Sequence, residues 1–113
     1  MIPLLKDKSY SFAVEIVRLV QYLQQEKKEY VLSKQILKSG TSIGALIHEA
    51  VFAQSDSDYL NKLAVSLKEA NETSYWLSSM RIGCSACQTI VWVLLHRMMT
   101  VSGESWIYRT TGR

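Results

Sequence analysis

Proline occurs once in this chain of 113 residues, at Pro3, and glycine five times. Punctuation this sparse excludes a turn-dense all-β fold, a collagen-like repeat and a Pro/Gly-rich disordered chain. Long apolar runs are also missing. The nearest, Ile82 to Leu95, is interrupted by Ser85, Gln88 and Thr89, short of the roughly 18 apolar residues that span a bilayer. It reads as a buried helix, and no membrane partner is expected. The start, Met-Ile-Pro-Leu-Leu, turns charged at Lys6 without the basic residues and small-residue cleavage site of a secretory signal. A cytoplasmic location is the expectation.

What is present is 48% hydrophobic and 20% charged, the composition of one compact helical domain over residues 1–113. A domain of this size buries only about two thirds of the surface its unfolded chain exposes, so apolar area is left over and self-association is one way to cover it. The net charge of +3 is unevenly placed. Residues 1–80 hold nine Lys/Arg against nine Asp/Glu, whereas Arg81, Arg97, Arg109 and Arg113 face only Glu104 in the remainder. The main body of the chain is therefore neutral, and the basic balance belongs to its end.

Four helical segments can be drawn, joined by short connections, and they predict an all-α, antiparallel up-and-down four-helix bundle. The first runs from about Ser9, a candidate N-cap, to Gln25. Phe12, Ile16, Leu19 and Leu23 lie on one side of it, with Ala13, Val17 and Val20 beside them. The charged stretch Gln25 to Glu29 reads as a solvated helix end and turn. The second helix starts near Ser33 and buries Ile36, Gly40, Ile43, Ile47 and Ala50. Gly40 and Gly44 stand one turn apart, a costly choice inside a helix that points to another backbone close by.

The polar break Gln54 to Asp58 supplies side-chain oxygens for capping a third helix of about Asp58 to Met80. Its main inward stripe is read as Leu60, Leu63, Ala64, Leu67, Asn71 and Ser74, with Val65, Glu69, Glu72 and Trp76 facing elsewhere. That second stripe, with Tyr75, is a candidate interface, although large amphipathic rings anchor cores as often. Asp58 with Lys62, and Lys68 with Glu72, stand four apart as surface ion pairs. A fourth segment, about Cys84 to Val101, is apolar almost all round, and residues 102–113 form a loosely held tail without a sustained pattern.

Chemistry-bearing patterns are few. Cys84 and Cys87 make a lone C-x-x-C, and His48 and His96 supply no second close-spaced pair, so neither a four-ligand zinc site nor a strand-borne redox motif is indicated. Di-iron bundles need Glu-x-x-His, which neither Glu69 nor Glu72 begins. Gly40-Thr41-Ser42-Ile43-Gly44 spells Gly-x-Ser-x-Gly but has no preceding strand to make a nucleophile elbow, and Gly-x-x-x-x-Gly-Lys phosphate loops are absent. No catalytic residue, metal or cofactor is expected. The more informative feature is the row Gln35, Ser39, Ser42, Leu46, Glu49 on the second helix, four of five positions polar. It either knits helices together or lines a pore or partner groove with Lys38 at its edge.

The stretch YVLSKQILKSGTSIGALIHEA followed by SDSDYLNKLAVSLKEANETSYWL closely resembles the small bundle proteins first noticed as reading frames in 23S rRNA intervening sequences. The likeness covers about residues 30–77. It rests on the Gln35 to Gly44 block, Glu49-Ala50, Asp58 with Lys62, and the Lys68 to Leu77 run. The resemblance implies an antiparallel four-helix bundle that assembles as a ring-shaped homopentamer with a central channel. It also implies kinship with accessory proteins of diversity-generating retroelements, which bind nucleic acid and a reverse transcriptase. Five subunits would not follow from the residues alone.

Two departures stand out. Leu46 replaces the asparagine usual in the pattern A-N-I-x-E-A, removing a hydrogen-bonding group from the polar row. After Leu77 the familiar text gives way to RIGCSACQTIVWVLLHRMMTVSGESWIYRTTGR, as a shifted reading frame or a divergent end would produce. The expected function is a non-enzymatic oligomeric scaffold associated with RNA or DNA. Lys34, Lys38, Arg81 and Arg97 are its candidate phosphate contacts, because each neutralised phosphate releases counterions. The neutral balance of residues 1–80 weighs against strong binding, and the alternative is a module that recruits a partner protein through an apolar groove.

Overall fold

The computed structural model describes residues 2–83. Among these residues the chain forms three helices and no strand: α1 (Ile2–Gln25), α2 (Leu32–Ala50) and α3 (Asp56–Gly83). The expected fourth helix, about Cys84 to Val101, and the tail at 102–113 lie outside the described residues.

Pairing is antiparallel throughout. Gln24 Nε2 donates to Ser33 Oγ at 3.2 Å, Ile16 lies against Gly40, and Ser9 lies against Gly44, so α2 runs back along α1. Ser66 Oγ donates to the Ile43 carbonyl at 3.0 Å, and Lys62 meets Glu49 at 3.0 Å, so α3 reverses again along α2. The middle helix thus carries both neighbours. Ile16, Leu19, Val20 and Leu23 of α1 share one buried cluster with Phe12, Ile36, Leu77 and Met80. The α1 stripe and the α2 stripe through Ile36, Gly40, Ile47 and Ala50 are buried as their spacing requires.

The helix starts differ from the sequence expectation. Ser9 is not an N-cap: α1 begins at Ile2, with Pro3 in its first turn, where a missing N–H costs no helical bond. Ser9 is instead buried in the helix interior, its hydroxyl donating to the Lys6 carbonyl at 3.0 Å. It is small because α2 presses on it. A Cβ built on Gly44 would sit 3.2 Å from the Ser9 carbonyl oxygen, and one on Gly40 would sit 2.8 Å from Ile16 Cγ1. The close backbone approach read from the two glycines is real at Gly44, and at Gly40 the intruder is a buried side chain.

Glu29 lies in the turn between α1 and α2, as expected, but is half-buried and caps α2. Its Oε1 accepts the N–H groups of Val31 at 3.1 Å and Leu32 at 2.9 Å, and its Oε2 that of Ser33 at 2.7 Å. The Ser33 hydroxyl returns a bond to the Glu29 carbonyl at 2.8 Å. One carboxylate therefore satisfies three amide groups at the N-terminus of α2 and stands at the positive end of its dipole. Burial, the largest single influence on Glu29, pushes its carboxyl up. The amides of Leu32, Ser33 and Val31 and the Ser33 hydroxyl outweigh it, and the pKa falls below the ordinary glutamate value. Between the helices Lys28 takes φ 54°, a left-handed conformation usually given to glycine at a helix end.

At the α2–α3 turn the polar break caps as expected, two residues earlier. Ser55 Oγ accepts the Asp58 N–H at 3.1 Å, Asp58 Oδ2 accepts the Gln54 N–H at 3.2 Å, and the Ser55 carbonyl accepts from Tyr59. The reading of α3 itself needs correcting. Leu60, Ala64, Leu67 and Asn71 are exposed, while Ser66, Thr73, Leu77 and Met80 are buried. Small side chains win the inner face because Ser66 and Thr73 let α3 approach, each satisfying its hydroxyl on a backbone carbonyl.

Candidate interaction site

The row Gln35, Ser39, Ser42, Leu46, Glu49 does not act as one unit. Ser39 is buried and Ser42 half-buried, and both hydroxyls bond carbonyls of their own helix, those of Gln35 and Lys38. Such back-bonding satisfies a serine inside a helix without joining two helices. Gln35 and Glu49 are exposed. Glu49 reaches α3 through Lys62, whose pKa is raised first by the Glu49 hydrogen bond, then by the Glu49 charge, with a smaller effect from Asp58. Lys62 thus pairs across helices, and Asp58 is spent on the cap. Lys68 and Glu72 make no ion pair among the described residues.

Of the candidate phosphate contacts, Lys34 and Lys38 stand exposed one turn apart on α2. The Lys38 charge also acts on Glu69 of α3. Arg81 falls in the last turn of α3, and Arg97 lies outside the described residues.

On α3 the row Val65, Glu69, Glu72, Trp76 and the neighbouring Tyr75 separate into distinct environments. Val65, Glu69 and Trp76 are half-buried, and Glu72 and Tyr75 are exposed. Trp76 packs on the core cluster and makes a T-shaped contact with Tyr75, ring centroids 5.1 Å apart. Burial, then the charge of Glu72 and a hydrogen bond with it, push the Glu69 carboxyl above the ordinary glutamate value, with Lys38 opposing. Glu69 Oε2 and Trp76 Nε1 are buried without a hydrogen-bond partner.

Two further surfaces remain, one of them on the α3 stripe expected from the sequence to face inward. Leu60 (63% exposed), Leu67 (48%) and Tyr75 (64%) stand exposed on α3, with the exposed Ala64 and Asn71 between them. An open groove of about 760 Å³ between α1 and α2 is lined by Lys6, Tyr10, Ala13, Gly44, Ala45 and His48 among others. His48 also meets the exposed Phe52 ring at 6.1 Å. The sequence signal for the groove is the small Gly44-Ala45 pair on α2, where Gly44 already admits the α1 backbone at Ser9. Among the described residues no group of three His, Cys, Asp or Glu side chains is placed to hold a metal ion. No helix there is long and apolar enough to cross a membrane.

A protein-family model described as 23S rRNA-intervening sequence protein matches residues 5–87. The chain is also similar to a solved protein of unknown function from the S23 ribosomal protein family of Bacteroides thetaiotaomicron. The two are 48% identical with a TM-score of 0.82, over 86% of this chain and 90% of that one. No curated protein matches.

Proposed function

Because the chain belongs to the 23S rRNA-intervening sequence protein family, we propose that it serves as a non-enzymatic helical scaffold in the cytoplasm, self-assembled and associated with nucleic acid. The observation that carries this reading is the exposed apolar set of α3. Leu60, Leu67 and Tyr75 are large apolar side chains left exposed along α3, with Ala64 and Asn71 between them, and burying such side chains against a partner is favourable. A second copy of the chain is the proposed cover, in a homopentamer as the family resemblance implies. The proposal includes a fourth helix from about Cys84 to Val101 completing the bundle.

Nucleic acid then meets a surface repeated around the assembly. Lys34 and Lys38, both exposed on α2, would contact phosphate, with Lys38 also near Glu69, joined by Arg81 and Arg97. Repetition matters because one neutral body binds weakly, whereas several linked copies raise avidity without any new contact. The test is fluorescence anisotropy of labelled structured RNA and single-stranded DNA at about 50 and about 200 mM salt. Four phosphate contacts predict a loss of roughly 50- to 150-fold in affinity over that range. Absence of binding at the lower salt sinks the nucleic-acid reading.

The groove between α1 and α2 favours a second reading, a module that recruits a partner protein. Its floor of Ala13, Gly44 and Ala45 is apolar and shallow, the form in which a helix is accepted between two others. Binding through that floor would change less with salt than phosphate binding, since apolar contacts are not screened and only the charges at its edge, Lys6, Asp7 and Glu49, are.

A further inference from the structure

We draw no further inference here: the strongest candidate, the open groove between α1 and α2 beside Lys6, Asp7, Tyr10 and His48, sets opposite charges side by side on an apolar floor, and nothing in the structure shows what covers it.

Discussion

Single residues decide where this chain bends and how closely its helices approach. Lys28 holds φ 54°, a conformation that costs a side-chain-bearing residue about 1–2 kcal/mol. With it the Glu29 N–H reaches the Leu23 carbonyl at 2.9 Å, so the bend is needed while the side chain is not. Lys28→Gly is expected to raise stability by about 1 kcal/mol in urea unfolding, the Cβ strain relieved exceeding the added freedom of the unfolded chain; a loss would refute the strain. Gly40 presents the opposite case. Alanine gains about 1 kcal/mol of helix propensity over glycine. Its Cβ, however, would meet Ile16 Cγ1 at 2.8 Å and Cγ2 at 2.9 Å, on a side chain with no exposed surface. Overpacking costs typically about 1–3 kcal/mol and outweighs that gain, so Gly40→Ala is expected to lower the urea midpoint. An unchanged or higher midpoint would show that Ile16 yields.

At the scale of the element, helix starts are set by side chains that lie outside the helices. Glu29 shows how. Its carboxylate holds three amides of the next helix, and loss of a cap typically costs about 1 kcal/mol, the expected effect of Glu29→Ala. The acid limb of stability supplies a second check. Because the Glu29 pKa is lowered on folding, its contribution is fully present above the unfolded value of about 4.3. It is lost as pH falls through the lower folded value. Below that window the wild type and Glu29→Gln should converge, and a difference in stability that persisted there would refute the linkage. For α3 the determining surface is that of its neighbour. The helix has apolar residues on more than one side, so its rotation follows α2, where Ser66 and Thr73 fit and Leu60 and Leu67 do not.

At the scale of the molecule, apolar surface remains uncovered around a small core among the described residues. Leu60, Leu67 and Tyr75 on α3, Tyr10 on α1 and Phe52 just after α2 are all exposed. A chain of this length cannot bury every apolar side chain by itself, and the proposed assembly would remove the surplus. Leu67→Glu is expected to reduce the molar mass measured by light scattering after size exclusion while leaving the far-ultraviolet dichroism unchanged. An assembly of undiminished mass would exclude this row from the interface. The change should not disturb the fold, because Leu67 is 48% exposed and belongs to no buried cluster.

Helical class, the extent of α2 and the inner faces of α1 and α2 were determined by the sequence. Phe12, Ile16, Leu19 and Leu23 repeat at a spacing that only a helix places on one side, and so do Ile36, Gly40, Ile47 and Ala50. The cap at Ser55 and Asp58 was equally local, since both groups lie within one turn of the helix they start. Tertiary structure decided the remainder. Whether Ser9 caps a helix or fills the space opposite Gly44 depends on α2, and whether Leu60 or Ser66 faces inward depends on the backbone that α3 meets. The polar row of α2 looked continuous because spacing alone defines a face. Its members separated once Ser39 and Ser42 turned to their own carbonyls and Glu49 found Lys62 on another helix. Periodicity records what a helix offers, and packing selects which offer its neighbours take.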